Sequence, residues 1–517
     1  MEFPAAHGRL GSSTQKVILL VLLLTSAPLR FVLGAPLRTL PQAPITELPL
    51  ASINQLTPEA RQAYAEVLKL RPEAARLLLR AAPFSAASTL LVADCADFTE
   101  LMISQEAARY PKVVEAQDQR LERLAKANER GPLPAYTAAE IRLHQAASQV
   151  TFGHEVQGAW NLRQAYLQMQ AVVQRYPDFL PARKTLGLCQ FFIGALPPGY
   201  RWFLKLLGLA GSTDAGLQNL RLAAHHPNGF QLEAQILLAL IQESYYKQPE
   251  EAAQLLTHLA TQQPTSLLYN YLIISLLKRQ HQTERALAFY HAGPDGTGYL
   301  PLPYLHHMAA DLLLYQGKYA AAERTNLLFL QQYHGQHYRK DAAFKLYLAA
   351  WLGGDATAAN RYRQQIAATG RTVVEEDAYA QRFYEDELPL NRVLTRARLQ
   401  IDGGYYREAL ATLRTFSPSS ATPLRDQLEW PYRRARAYHG LGRLDSARVF
   451  YARTIAVSSQ APYYFVPQAA LQMGYLCLAD GQVNLAKVYF QKALDSPKHE
   501  YKNSTDAKAK IALAGLK

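Results

Sequence analysis

Gly474-Tyr-Leu-Cys477-Leu-Ala-Asp-Gly481-Gln-Val-Asn-Leu-Ala486-Lys-Val-Tyr-Phe490-Gln-Lys-Ala493, followed by Pro497, reads as two helices joined by a turn at Asp480-Gly481. Gly474 and Ala486 remove side-chain bulk where the two helices would cross. Phe490 fills the gap to a neighbouring unit, and Pro497 prevents the second helix from continuing.

The arrangement recurs upstream. Ala447 with Tyr438 and Tyr451 repeats it, as does Ala409 after Gly404-Tyr405-Tyr406-Arg407-Glu408 and Ala322 after Gly317-Lys318-Tyr319. Ala286 and Ala252 extend the series, the latter with Leu256 and Pro264 in register. Steps of 34 and 36 residues separate Ala252, Ala286 and Ala322, and steps of 38 and 39 separate Ala409, Ala447 and Ala486. Ala359 marks a degenerate unit, Ala165 and Gly216 two earlier ones. The 50-residue step from Ala359 to Ala409 holds the acidic stretches Glu375-Glu376-Asp377 and Glu385-Asp386-Glu387. A period near 34 is the tetratricopeptide spacing. The expected fold is therefore all-α: a right-handed helical-repeat solenoid of about eight helix pairs, each burying its apolar face only against neighbours. Apolar residues recurring at i, i+3, i+4 and i+7 from residue 57 onward agree, and Thr57-Pro58-Glu59 is a helix start.

Within residues 88–225 a second likeness appears. Tyr176-Pro177-Asp178-Phe179, Lys184-Thr-Leu-Gly187, Gly194-Ala-Leu-Pro197-Pro198-Gly199-Tyr200-Arg-Trp202 and Leu206-Leu207-Gly208-Leu-Ala-Gly211-Ser-Thr-Asp-Ala-Gly216-Leu217 resemble a tetratricopeptide group of exported bacterial proteins. The segments at Asp94-Cys95-Ala96-Asp97-Phe98, Arg120–Leu124 and Ala139–Leu143 are similar to the same group. More distantly the run resembles eukaryotic inclusion-body-clearance-type tetratricopeptide proteins. The resemblance implies a helical scaffold and transfers no catalytic residue.

Composition narrows the remaining classes. Of 517 residues, 49% are hydrophobic and 19% charged, which suits a buried core and excludes a disordered chain. Cys95, Cys189 and Cys477 are too few for a disulfide framework and are expected as buried free thiols. The net charge of +13 favours anionic partners such as acidic peptides, phosphate-bearing glycans or lipid headgroups. Basic residues scattered among acids form no stripe for nucleic acid, so none is expected as a partner.

Arg9 and Lys16, the apolar run from Val17 to Leu24 and the small residues before Pro36 read as a secretory signal peptide over 1–34, cleaved after Gly34. Arg30 arrives too soon for a membrane span. Residues 35–56, with Pro36, Pro41, Pro44 and Pro49, read as a proline-rich linker. The body divides into an N-terminal helical region at 57–150, degenerate repeats at 151–265 with an insertion at 191–212, repeats at 266–370, and C-terminal repeats at 371–517. The expected location is the periplasm or outer envelope.

Catalytic chemistry finds no foothold. There is no phosphate-binding loop and no Gly-x-Ser-x-Gly elbow; His154-Glu155 lacks the second histidine of a zinc helix. His225-His226 and His306-His307 are adjacent pairs that point about 100° apart on a helix. No metal or cofactor is expected. Asp94, Asp97 and Glu140 lie in apolar helices and read as acids at helix ends or paired with Arg142 and Arg123. Their alternative reading is a carboxylate pair in a cleft, as in a hydrolase or glycan-processing enzyme. Phe191–Leu209, with Trp202, reads as a helix wedged between repeats, or alternatively as an amphipathic insert touching a membrane surface.

First helices line the inner wall of such a solenoid. Counting back from the repeat alanines places Tyr271, Lys278, His307, Asp311, Arg398, Tyr432, Arg436 and Tyr475 there. Aromatic and basic side chains in one groove suit an extended peptide bearing carboxylates. The expected function is a non-enzymatic protein- or peptide-binding scaffold of the cell envelope, with an acidic partner.

Overall fold

The computed structural model describes residues 56–81, 86–127, 131–195, 204, 207–246, 248–457, 462–499 and 501–516. The signal-peptide and linker readings at 1–55, and Trp202, lie outside them.

All regular structure among the described residues is helical. α1 (Pro58–Leu68) and α2 (Pro72–Leu79) lead into α3 (Ala87–Ser104) and α4 (Tyr110–Lys126). Nine helix pairs follow among the described residues. The first four are α5 (Pro132–Thr151) with α6 (Glu155–Arg175), α7 (Leu180–Ala195) with α8 (Thr213–His225), α9 (Gln231–Tyr246) with α10 (Pro249–Gln262), and α11 (Leu267–Arg279) with α12 (Thr283–Ala292). Next come α13 (Tyr304–Tyr315) with α14 (Tyr319–Gln332), and α15 (Arg339–Gly353) with α16 (Ala356–Ala368). A single helix, α17 (Glu375–Glu385), intervenes. Then come α18 (Arg392–Asp402) with α19 (Tyr406–Arg414), α20 (Leu424–Gly440) with α21 (Leu444–Val457), and α22 (Phe465–Ala479) with α23 (Val483–Leu494), before α24 (Lys502–Ala514). The fold is a tetratricopeptide-like helical-repeat solenoid.

Local chemistry sets the helix ends. Thr57 Oγ1 accepts from the Ala60 amide at 3.3 Å, with Pro58 at the first helical position. Asp355 and Asn391 cap α16 and α18 in the same way. Each repeat marker sits on the second helix of its pair, and Ala165, Ala252, Ala286, Ala322, Ala359, Ala409, Ala447 and Ala486 are all buried. At Gly474 a Cβ would meet the Phe490 ring at 2.5 Å, so glycine is what lets α22 and α23 close. At Gly216 the obstacle is backbone: a Cβ would stand 2.4 Å from the Phe191 nitrogen and 2.6 Å from the Gly187 carbonyl oxygen.

First helices face inward. α11 packs on α13, α13 on α15, α18 on α20 and α20 on α22, whereas no comparable packing joins the second helices α12, α14 and α16, or α19, α21 and α23. The superhelix also touches itself. α13 packs on α18, His281 Nδ1 lies 2.7 Å from the Asp402 carbonyl oxygen, and Thr283 Oγ1 donates to that of Gly403 at 2.9 Å. Gly404 adopts a φ of +86° there, and a Cβ on it would strike the His281 carbonyl. The unpaired α17, which fills the 50-residue step, lies in the span of chain between these meeting points.

Two packing features bear on the divisions expected from the sequence. A boundary at residue 150 would part α5 from α6, which are the most extensively packed neighbours in the chain. Nor does the N-terminal region stand alone. Tyr64 Oη donates to Glu233 Oε2 at 2.6 Å, Ser266 Oγ to the Leu68 carbonyl at 3.1 Å, and the Leu300 amide to the Leu70 carbonyl at 2.8 Å. Leu70 and Ile103 belong to the same apolar cluster as Tyr271, Tyr304 and Met308. At the start of the stretch 191–209, Phe191 and Phe192 lie near the end of α7 in a buried cluster with Leu217 and Ile241; most of the rest lies outside the described residues. No helix among the described residues is long and apolar enough to cross a membrane.

Gly216→Ala is expected to destabilise the protein by at least about 1–3 kcal/mol, because backbone cannot yield as a flexible side chain can. Urea denaturation followed by circular dichroism measures it; a midpoint equal to wild type would contradict the crossing geometry.

Candidate functional site

Of the eight residues expected on the inner wall, seven fall into three groups and Tyr475 stands apart. Tyr271 is core: it is 4% exposed, its ring centroid lies 6.5 Å from that of Tyr304, and burial pushes its hydroxyl pKa up. It cannot greet a ligand. The apolar cluster that holds it includes the chain's own Leu70.

Lys278, His307 and Asp311 do come together, but they satisfy one another and their neighbours. Asp311 pairs with Lys278 and, at 2.7 Å, with Lys345. Lys345 also reaches Asp341 at 2.6 Å, and His307 bridges Asp341 Oδ2 at 3.0 Å and Asn326 Oδ1 at 2.9 Å. Burial pushes the Asp311 carboxyl up, but the two lysines outweigh it and hold it well below the usual range; the same acids raise Lys345. Two lysines against two aspartates leave this network neutral and self-contained across α11, α13 and α15. Sequence reasoning missed Lys345 and Asp341, although they lie 34 residues after Asp311 and His307, one repeat on.

Next to it, Asp377 of α17 accepts from the amides of Tyr338 at 2.6 Å and Asp341 at 2.9 Å, capping the start of α15. Burial outweighs these donors and raises its pKa to about 7.

Arg398, Tyr432 and Arg436 form the third group. They gather with residues that the sequence reading left out. Arg433 donates to Glu429 Oε1 at 2.7 Å and to Tyr464 Oη at 2.8 Å, and Arg425 holds the other Glu429 oxygen at 2.8 Å. These arginines outweigh the burial of Glu429 and lower its pKa. Arg398 has only a long contact, 3.4 Å, to Tyr379 Oη, and Arg436 leans on the Tyr432 hydroxyl. Neither makes an ion pair within 4.0 Å among the described residues, although Arg425, Arg433 and Arg448 all do. Burial opposes both charges, while nearby Tyr379 and Asp402 for Arg398, and Tyr432 and Asp402 for Arg436, favour them and raise the net pKa. Both side chains are half-buried and within reach of solvent. Tyr475 stands 37% exposed against the Phe490 ring, with no contact to this cluster.

The N-terminal acids are fully engaged. Asp94 binds Arg120 at 3.1 Å and His144 Nδ1 at 2.6 Å; Asp97 binds Arg120 and, at 2.8 Å, Arg76. Glu140 accepts from Thr185 and lies 3.6 Å from Lys184, which reaches Glu233 at 2.9 Å. Lys184 and His144 outweigh the burial of Glu140 and lower its pKa. Pairing is therefore the right description, with different partners: Arg142 instead bonds Gln164 and Gln168. No cluster of three or more metal-ligating side chains occurs among the described residues. Cys189 and Cys477 are buried and Cys95 half-buried, all three free; burial pushes the Cys189 thiol up to about 12.

Comparison with protein families finds no match, and none of the curated proteins matches either. Among solved structures, the human IFIT1 dimer with PPP-AAAA is similar at 13% identity over 84% of this chain and 89% of that one, with a TM-score of 0.23. That likeness carries no argument about the site. The class defined by the chain's own packing is a tetratricopeptide-like helical-repeat protein.

Lys345→Ala leaves Asp311 and Asp341 without the cation between them and is expected to cost about 3–5 kcal/mol in urea denaturation; a wild-type midpoint would contradict the network. Asp377 gives a pH signature of the opposite kind to an ion-paired acid. Its folded pKa exceeds its unfolded one, so its contribution is most favourable below about pH 4 and is lost as pH rises through about 7. The stability difference between wild type and Asp377→Asn is expected to change by up to about 1.4 kcal/mol per pH unit across that window. A constant difference would contradict the raised pKa.

Proposed function

We propose that this chain is a non-enzymatic scaffold or adaptor of the cell envelope that grips an acidic protein or peptide through the inner wall of its C-terminal repeats. The observation that carries this reading is that Arg398 and Arg436, half-buried on the first helices α18 and α20, make no ion pair within 4.0 Å among the described residues. A guanidinium that makes no ion pair has donors to spare, and a partner's carboxylates would use them. Tyr379 and Tyr464, both half-buried, supply hydroxyls and flat apolar surface, the mixture that peptide-binding grooves use, whereas Tyr432 is buried in the core.

The engagement of Asp94, Asp97 and Glu140 in ion pairs supports a non-enzymatic role over a hydrolase. The burial of Phe191 and Phe192 supports a partner groove over a membrane surface using 191–209. Export to the periplasm or outer envelope rests on the leader reading of residues 1–34.

Crosslinking pull-down from intact envelopes tests the proposal. Arg398→Gln plus Arg436→Gln is expected to lower capture roughly a hundredfold, since each charge-assisted hydrogen bond contributes about 1.5–3 kcal/mol. Capture by the wild-type chain should also weaken as salt rises. Equal capture by a folded double variant would overturn this reading.

A further inference from the structure

Where the superhelix touches itself, a cavity of about 310 Å³ opens between units that are not consecutive. Leu314 and Tyr315 from the last turn of α13, Gly317 in the turn and Tyr319 at the start of α14 form one side; Arg396 and Gln400 of α18 form the other. The two sides are in firm contact, since a Cβ on Gly403, just past α18, would stand 2.6 Å from the Tyr315 Cβ. Three of the lining side chains have donors to spare among the described residues. Arg396 is exposed and makes no hydrogen bond or ion pair there. Gln400 follows one turn later on the same face of α18, and its Oε1 is taken by Thr412 Oγ1 at 2.8 Å, which leaves its amide nitrogen to donate. The Tyr319 hydroxyl makes no hydrogen bond either, and lies 3.9 Å from where a Cβ on Gly317 would stand. No carboxylate lines the cavity among the described residues. Glu284 of the neighbouring α12 is occupied elsewhere, accepting from Tyr405 and from Gln316 Nε2 at 2.8 Å.

We propose that this cavity binds an apolar monocarboxylate about the size of one amino acid, its carboxylate on Arg396 and Gln400 and its apolar body against Leu314 and Tyr315. An ionised carboxylate only accepts, and the guanidinium, amide and phenol that line the cavity can all donate. One guanidinium answers one negative charge. The volume stands at the small end of ligand sites, which span about 300–1,000 Å³, so it suits a free acid or the last residue of a peptide rather than a longer segment. Because its walls come from α13 and α18, the bound acid joins the two helices and tightens the place where the superhelix meets itself. This site uses neither Arg398 nor Arg436, and its failure would leave the inner-wall reading standing.

Isothermal titration of the full chain with 3-phenylpropionate, its amide, and acetyl-Gly-Gly-Phe with a free or an amidated terminus tests it. 3-Phenylpropionate is expected to bind about tenfold or more tightly than its amide, because only the acid makes a charge-assisted hydrogen bond. Arg396→Gln should weaken it about tenfold or more, and Tyr319→Phe by less. Neither variant should lower the melting temperature without ligand, since neither group bonds within the protein. Bound acid should also slow hydrogen exchange in α13 and α18. Tighter binding of the free-terminus peptide than of 3-phenylpropionate would support the proposal with a peptide terminus as the source; weaker binding would support it with a free acid. Equal binding of acid and amide, unchanged affinity in the folded Arg396→Gln variant, or no binding of either acid at millimolar concentration would overturn it. A large drop in the melting temperature of Arg396→Gln would make that arginine structural and overturn it too.

Discussion

Where the second helix of each repeat crosses the first, the side chain is no larger than a methyl group, and the rest of the molecule depends on that spacing. Alanine at eight of these positions and glycine at Gly216 bring helices close enough for large side chains such as Phe490 and Tyr451 to seal the seams between units. Each helix alone has one apolar stripe and no core. Stacking supplies a core that is spread along the chain, so each unit's stability is shared with its neighbours.

That geometry decides what the inner wall can offer. First helices pack on first helices, and polar groups on them meet the equivalent positions of the next unit. In the middle repeats the meeting groups have opposite charge: Lys278, Asp311, Lys345 and Asp341 neutralise each other, and His307 joins them. In the C-terminal repeats arginine follows arginine, from Arg398 to Arg436, and Glu429 is shared by Arg425 and Arg433. The same scaffold therefore holds a closed polar network in one section and, in the next, two arginines that make no ion pair among the described residues. The N-terminal helices reinforce this division, since they pack against the middle repeats and contribute Leu70 and Ile103 to their core.

Helical class, repeat spacing and nearly every small crossing residue were readable because they are local and periodic. Gly474, Ala486 and Phe490 do in three dimensions what their spacing implies. Partnerships between units were harder. Asp311 and Arg398 look equivalent when counted from their repeat alanines, yet one is held between Lys278 and Lys345 and the other makes no ion pair among the described residues, because each depends on the side chains that neighbouring repeats bring to it. The N-terminal acids show the same limit: that Asp94 and Glu140 would be paired follows from the cost of a lone buried charge, but His144 and Lys184 as partners follow only from how α3, α5 and α7 meet. The nine pairs among the described residues answer to the nine small-residue markers, Ala165 and Gly216 included, and α5, assigned to a separate region, is the first helix of the pair that Ala165 marks.

Hydrogen–deuterium exchange on Ala447→Leu tests the stacking claim most directly. Ala447 is fully buried at the crossing of α20 and α21. A leucine there should speed exchange in α18 to α23 and leave α5 to α8 at wild-type rates, as expected of a chain whose units depend on their neighbours. Uniform acceleration from end to end, or no change at α20 and α21, would contradict it.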